Sequence, residues 1–114
     1  MKNCLFCKIA NKEIPSEIVF ENEDVLAFND INPQSPVHVL VIPKKHILSL
    51  NQIDHTNSQV ACKLLEAIPV IAEKTGIFES GYRVVSNCGA DGMQSVDHLH
   101  FHVMGKRLMK WPPG

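Results

Sequence analysis

Apolar and polar positions follow two different periods along this chain, and the change of period marks its elements. From Asp97 to Met104 the period is two: His98, His100 and His102 alternate with Leu99, Phe101 and Val103. In an extended strand alternate side chains share a face, so three imidazoles are predicted on one side and three apolar groups on the other. Ile18-Val19-Phe20 and Val25-Leu26-Ala27-Phe28 read as a hairpin around a polar turn at Glu21 to Asp24. Val37 to Ile42 is apolar on both faces apart from His38, as in a central strand covered on both sides, and Pro43 closes it. Tyr82-Arg83-Val84-Val85-Ser86 is a further strand.

Two stretches have helical spacing. Asn3 is predicted to cap a short turn, Cys4-Leu5-Phe6-Cys7-Lys8-Ile9, with both cysteines on one face. Thr56-Asn57-Ser58-Gln59 has the form of a capping box, and Val60, Leu64, Leu65, Ile68, Ile71 and Ala72 follow until Gly76 ends the helix. This long helix is expected to cover the sheet. Pro69 removes one backbone donor and should kink it about one turn before its end. Cys62 is read as a small core residue and His55 as solvated.

A length of 114 residues with 45% hydrophobic and 20% charged positions is that of one compact domain, taken as residues 1–114 with 105–114 as a tail. The net charge of −1 leaves no basic footprint, which argues against nucleic-acid polymers while allowing a small phosphorylated ligand. No signal segment or membrane-length apolar run is present, so a cytoplasmic location and no membrane partner are expected.

Histidine titrates near neutral pH and serves as nucleophile, proton carrier or metal ligand, and three in register argue for chemistry over a merely polar strand face. Cys4-x-x-Cys7 is by itself ambiguous between free thiols and half of a metal site, whose other two ligands histidines would have to supply. His46, just past the central strand, could turn back toward such a site while Lys44 and Lys45 stay solvated. Asp30, flanked by Phe28 and Ile31, suits the hydroxyls of a ribose at the lip of an apolar pocket, though a solvated turn aspartate has the same sequence. The loop Asn87 to Ser95 has two glycines, which let amides approach a phosphate, and it delivers Gln94 and Ser95 next to the histidines. Lys110-Trp111-Pro112-Pro113-Gly114 is either a frayed end or an arm docking on a partner subunit with the chain's only tryptophan.

Taken together, these residues resemble the histidine-triad (HIT) superfamily, whose signature is His-φ-His-φ-His-φ-φ with φ apolar; residues 98–104 match it at every place. The resemblance extends through Ala27-Phe28, Asp30-Ile31, Pro33-Gln34, Leu40 to His46, Gly81-Tyr82-Arg83 and Asn87. Gln94-Ser95-Val96 and Trp111-Pro112-Pro113-Gly114 point to the Hint branch. It implies an α+β fold with an antiparallel sheet of about five strands, one long helix and a short N-terminal helix. It also implies a homodimer, with Trp111 near the partner's site, that hydrolyses purine nucleoside phosphoramidates to AMP. By position, Phe6, Ile9, Phe28 and Ile31 would enclose the base and Asp30 the ribose. His100 would be the nucleophile, its other nitrogen held by a backbone carbonyl on the adjacent chain. Asn87, Met93, Gln94, Ser95 and His102 would hold the phosphate or leaving group, Ser95 and His102 with a catalytic part. Cys4, Cys7, His46 and His98 match the structural zinc set of bacterial-type members, and no metal is needed for the chemistry itself.

Two positions depart from the branch: Gly92-Met93 stands where paired glycines are common, and Asp97 where an aromatic is. Both bear on the leaving group. Three other readings compete: a dinucleoside polyphosphate hydrolase, a nucleotide-binding scaffold with incidental catalysis, and a catalytic zinc held by the three histidines.

Overall fold

The computed structural model describes residues 3–114. Met1 and Lys2 of the expected 1–114 domain lie outside them. The elements run α1 (Leu5–Ala10), β1 (Ile18–Glu21), β2 (Val25–Asn29), β3 (Val37–Pro43), α2 (Ser58–Thr75), β4 (Tyr82–Val85) and β5 (Phe101–Gly105), with one 3-10 turn at Leu50–Gln52. The five strands form one antiparallel sheet in the order β1-β2-β3-β5-β4, so the twice-covered β3 is central as its composition predicts.

Strand alternation sorts the side chains into two layers. On one face Val25, Ala27, Val39, Val41, Leu99 and Val103 pack with Leu64, Ala67, Ile68, Ile71 and Ala72 of α2. On the other, Leu26, Phe28, Leu40 and Ile42 meet Phe6 and Ile9 of α1. Each large aliphatic buried this way contributes roughly 1.5–3 kcal/mol. Register then decides where the histidines go. Leu40 pairs with His102 and His38 with Met104, which puts both imidazoles on the α1 face. The chemistry therefore lies under the short helix, with the long helix behind the sheet as support.

Several local expectations are corrected. The cap of α1 is Cys4, whose sulfur accepts from the Cys7 amide at 3.3 Å, in place of Asn3. The predicted capping box at Thr56 does not form: Asn57 is the N-cap without a side-chain bond, since its carboxamide bonds Asp54 and Gln52, and Thr56 bonds Asp54. Cys62 and Leu65 lie on the outer side of α2 and are exposed, because the buried stripe runs through Leu64, Ala67, Ile68 and Ile71. α2 includes Pro69, which is exposed beside Val70, and ends as expected on Gly76, in the left-handed region at φ 77°. Lys44 is paired with Glu21 at 2.7 Å and Lys45 is exposed. The histidine strand is shorter than read: β5 begins at Phe101, and His98–His100 precede it as irregular backbone, yet Leu99 still enters the α2 core. β4 likewise stops at Val85, short of Ser86.

Candidate active site and metal centre

The first turn of α1 sets one end of the site. Because Cys4 caps the helix and Cys7 lies one turn on, the two sulfurs face the same way. His46 approaches Cys7 Sγ through Nδ1 at 3.2 Å, and His98 Nδ1 lies 3.3 Å from Cys4 Sγ and 3.5 Å from Cys7 Sγ. All four ligand atoms lie within 4.8 Å of one another. A tetrahedral zinc with Zn–S ~2.3 Å and Zn–N ~2.05 Å would separate sulfur and nitrogen by about 3.6 Å, within a few tenths of these distances. The donor tautomer fits as well. His98 is fully buried, and its Nε2 lies 2.8 Å from the Pro43 carbonyl, which can only accept, so the ring proton sits on Nε2 and Nδ1 presents a lone pair to the centre. Burial, foremost, pushes the Cys7 thiol pKa up, and His98 is pushed down chiefly by burial, which keeps it neutral. The four residues can hold one metal ion.

Two residues on, the same logic gives the opposite tautomer. His100 Nδ1 lies 2.7 Å from the His98 carbonyl, so the proton is on Nδ1 and Nε2 carries the lone pair. That acceptor belongs to the same chain two residues back, where a carbonyl from the adjacent chain was expected. His100 is 3% exposed, and Phe6 stands edge-on to it with ring centroids 5.0 Å apart. Among the described residues no buried polar side-chain atom lacks a partner and none bonds His100 Nε2, which is consistent with that nitrogen facing solvent. A ring held this way, with Nε2 unprotonated, has the form a nucleophile requires. The His98 backbone thus links the Cys/His cluster to the His100 ring.

His102 packs against His100 with centroids 5.2 Å apart, and its pKa falls to about 4, chiefly through burial and then through its neighbours His100 and His38. His38 is the residue that the sequence reading left without a role. It is 5% exposed on β3, with Nε2 2.8 Å from His102 Nδ1 and 3.4 Å from Asp30 Oδ2. A lone histidine in an otherwise apolar strand was the available signal. Burial lowers its pKa, partly offset by Asp30. The unfolded chain titrates these two histidines near their ordinary 6.5, above the folded values, and so binds more protons in the acid range. Stability is therefore expected to be fully present above about pH 6.5 and to decline as pH falls toward 4. Thermal melts across that range test this, and a flat profile would contradict it.

The remaining residues assigned to the nucleotide divide by exposure. Phe6, Ile9 and Phe28 are buried, with Phe6 and Phe28 edge-to-face at 5.6 Å, whereas Ile31 is fully exposed and Asp30 half-buried. In the loop before the histidines, Asn87 Nδ2 donates to the Gly92 carbonyl at 2.6 Å. Gln94 braces Gly89, Leu48 and Val96 through its carboxamide. The amides of Met93 and Gln94 donate to Ala90 and Gly89, so the loop uses these groups internally. Met93 is exposed with φ 62°, a left-handed conformation that explains why glycine suits this place, and a Cβ on Gly92 would meet the Cys88 carbonyl at 2.5 Å. Ser95 is exposed and lines a cleft of about 600 Å³ with Cys4, His46, Leu48 and Asp97, beside the Cys/His cluster. Trp111 is 81% exposed, with Arg83 over its ring at 5.9 Å.

Known proteins resemble this chain over nearly its whole length. The 14 kDa zinc-binding protein of Zea mays is 48% identical over 112 residues, covering 96% of this chain and 87% of its own. Adenylylsulfatase HINT1 of Arabidopsis thaliana is 46% identical over 96% of this chain and 76% of its own. Among solved structures, a HIT family hydrolase from Legionella pneumophila Philadelphia 1 superposes with TM-score 0.95 at 48% identity, covering 98% of this chain and all of the other. A histidine triad protein from Clostridium difficile gives 0.93 at 47%, covering 97% of each. Residues 11–109 match the model of the HIT domain family, and the chain belongs to that family.

Proposed function

We propose that this chain is a nucleotide hydrolase that releases AMP from purine nucleoside phosphoramidates and adenylate-like conjugates. The observation that supports it most is His100, whose Nδ1–H is fixed on the His98 carbonyl so that Nε2 is free to attack. A neutral imidazole attacks the α-phosphorus, the bond from phosphorus to the leaving nitrogen breaks, and a nucleotidyl-histidine forms. Water then attacks the same phosphorus and restores the ring. Over the two steps the departing nitrogen gains one proton and the water gives one up. Phe6, Ile9 and Phe28 supply an apolar floor for the base, with Ile31 closing over it, and Asp30 meets the ribose. Asn87, Ser95, His102 and the loop at Met93 and Gln94 hold the phosphate and leaving group. Zinc on Cys4, Cys7, His46 and His98 would supply a closed structural cross-link under the nucleophile. The working unit in this reading is a single HIT domain paired as a homodimer, with the exposed Trp111 of the tail near the partner's site.

A second reading differs only in the leaving group. The Arabidopsis thaliana relative is named an adenylylsulfatase, which favours a leaving group that departs as an anion. A substrate panel separates the readings: adenosine 5′-phosphoramidate, adenylyl sulfate and diadenosine tetraphosphate, each assayed for AMP release. The phosphoramidate is expected to give the highest kcat/KM; a higher value for either of the others would replace this reading with the corresponding one.

A further inference from the structure

The two sulfurs of the Cys/His cluster differ in what can reach them. Cys4 is half-buried and lines the cleft of about 600 Å³ with Leu5, Leu48, Val96 and Asp97, whereas Cys7 is 7% exposed and does not line it. One carboxylate, Asp97, and no lysine or arginine line that cleft, so it favours small neutral molecules over anions. The sulfurs are also placed to join. Cys7 donates its amide to Cys4 Sγ at 3.3 Å, and the two sulfurs lie within 4.8 Å of each other. Cys4 is the cap residue, with extended backbone at φ −87° and ψ 115°, so its side chain can turn toward Cys7 without unwinding α1.

We propose that Cys4 and Cys7 form a peroxide-sensitive dithiol, a modification site whose oxidation releases the metal and loosens His100. The oxidant is a small neutral hydroperoxide, with hydrogen peroxide as the simplest case. The Cys4 thiolate attacks one peroxide oxygen, the O–O bond breaks, and hydroxide departs to leave a sulfenic acid on Cys4. The Cys7 thiolate then attacks that sulfur and expels a second hydroxide, forming one S–S bond. Two electrons pass from the sulfur pair to the peroxide, and two solvent protons convert the hydroxides to water. Neither sulfur is then the anionic ligand that zinc requires, and His46 and His98 alone do not make a closed shell. His98 carries the effect inward. Its Nδ1 lies 3.3 Å from Cys4 Sγ, and its carbonyl accepts from His100 Nδ1–H at 2.7 Å. With the metal gone, His98 keeps its Nε2–H on the Pro43 carbonyl but loses its anchor at Nδ1, so the ring of His100 is held less firmly. The consequence for turnover rests on the proposed nucleotide hydrolysis; the thiol chemistry does not.

The test treats the zinc-loaded native protein with hydrogen peroxide while a chromophoric chelator reports released zinc, and alkylated tryptic digests are read by mass spectrometry. Zinc is expected to leave in step with conversion of the peptide of residues 3–8 to a form two hydrogens lighter that resists alkylation. Release of AMP from an adenosine phosphoramidate should fall about tenfold in parallel. Dithiothreitol with added zinc should restore the alkylatable peptide, the bound metal and the turnover. Zinc retained while Cys62 or Cys88 is oxidised, zinc released without the Cys4–Cys7 bond, or failure of dithiothreitol and zinc to restore the loaded state would overturn the proposal. Cys62→Ala, which removes an exposed thiol outside the cluster, should release zinc at the native rate, and slower release would assign the sensing thiol to Cys62 instead. Reversible zinc release with unchanged turnover would overturn the link to His100. If the reversible release occurs and the native protein hydrolyses no phosphoramidate, the hydrolysis reading fails and the thiol site stands.

Discussion

His100→Ala is expected to lower the release of AMP from an adenosine phosphoramidate by roughly four orders of magnitude, with bound zinc unchanged at one per chain. The size follows from the two-step route: with the nucleophile gone, water must displace the amine directly, and only binding and phosphate stabilisation remain. Metal retention follows because His100 contributes no atom to the Cys4, Cys7, His46, His98 cluster. The substitution also strands the His98 carbonyl, at a cost of about 1–3 kcal/mol, so thermal melts should accompany the assay to show that the variant is folded. Joint loss of metal and turnover would instead favour a zinc at the histidine triad as the catalyst. Turnover within tenfold of the native value would remove His100 from the chemistry.

The second large effect is on stability. Cys7→Ala is expected to abolish stoichiometric zinc and to lower Tm by about 15 °C. A ligand at roughly a thousandfold above its Kd stabilises by about 4 kcal/mol, and a domain of this size shifts by ~4 °C per kcal/mol. Cys4→Ala should do the same and lose the cap of α1 besides, since its sulfur accepts the Cys7 amide. Cys62→Ala is the matched control, an exposed thiol on α2 with no ligand role. Zinc content and melting temperature read out both effects without any assay of turnover, and an unchanged zinc count in Cys7→Ala would refute that ligand. Activity should fall too in the metal-free protein, because loosening the His98 side chain also loosens the carbonyl that orients His100.

What the sequence made legible depended on whether a residue's role is set by its own strand or by its neighbours. Runs such as Val25 to Phe28 and Val39 to Ile42 declare two covered faces on their own, and the register of a single sheet does the rest. The helical stripe of α2 was readable, but not its edge: Leu65 and Cys62 fall just outside a buried arc that only the packed sheet defines. Capping failed for a similar reason. Asn57 and Thr56 found loop partners in Asp54 and Gln52, which the four-residue pattern could not foretell. At the site, the three histidines and the two cysteines announced themselves by spacing. His38 did not, because its meaning comes from a diagonal across β3 and β5 and from an amide in the preceding loop. The exposure of Ile31 and the inward hydrogen bonding of Asn87 and Gln94 are likewise properties of folded loops, invisible to residue type.

The central claim, that His100 is the nucleophile beside a separate metal centre, is tested most directly by trapping its intermediate. Zinc-loaded protein is mixed with an excess of adenosine phosphoramidate, quenched within a single turnover, digested and analysed by mass spectrometry. The expected result is one adenylyl group on the peptide spanning the triad, located by fragmentation at His100 and formed as fast as the amine is released. Amine release with no adduct on that peptide, or an adduct on a different residue, would contradict the claim.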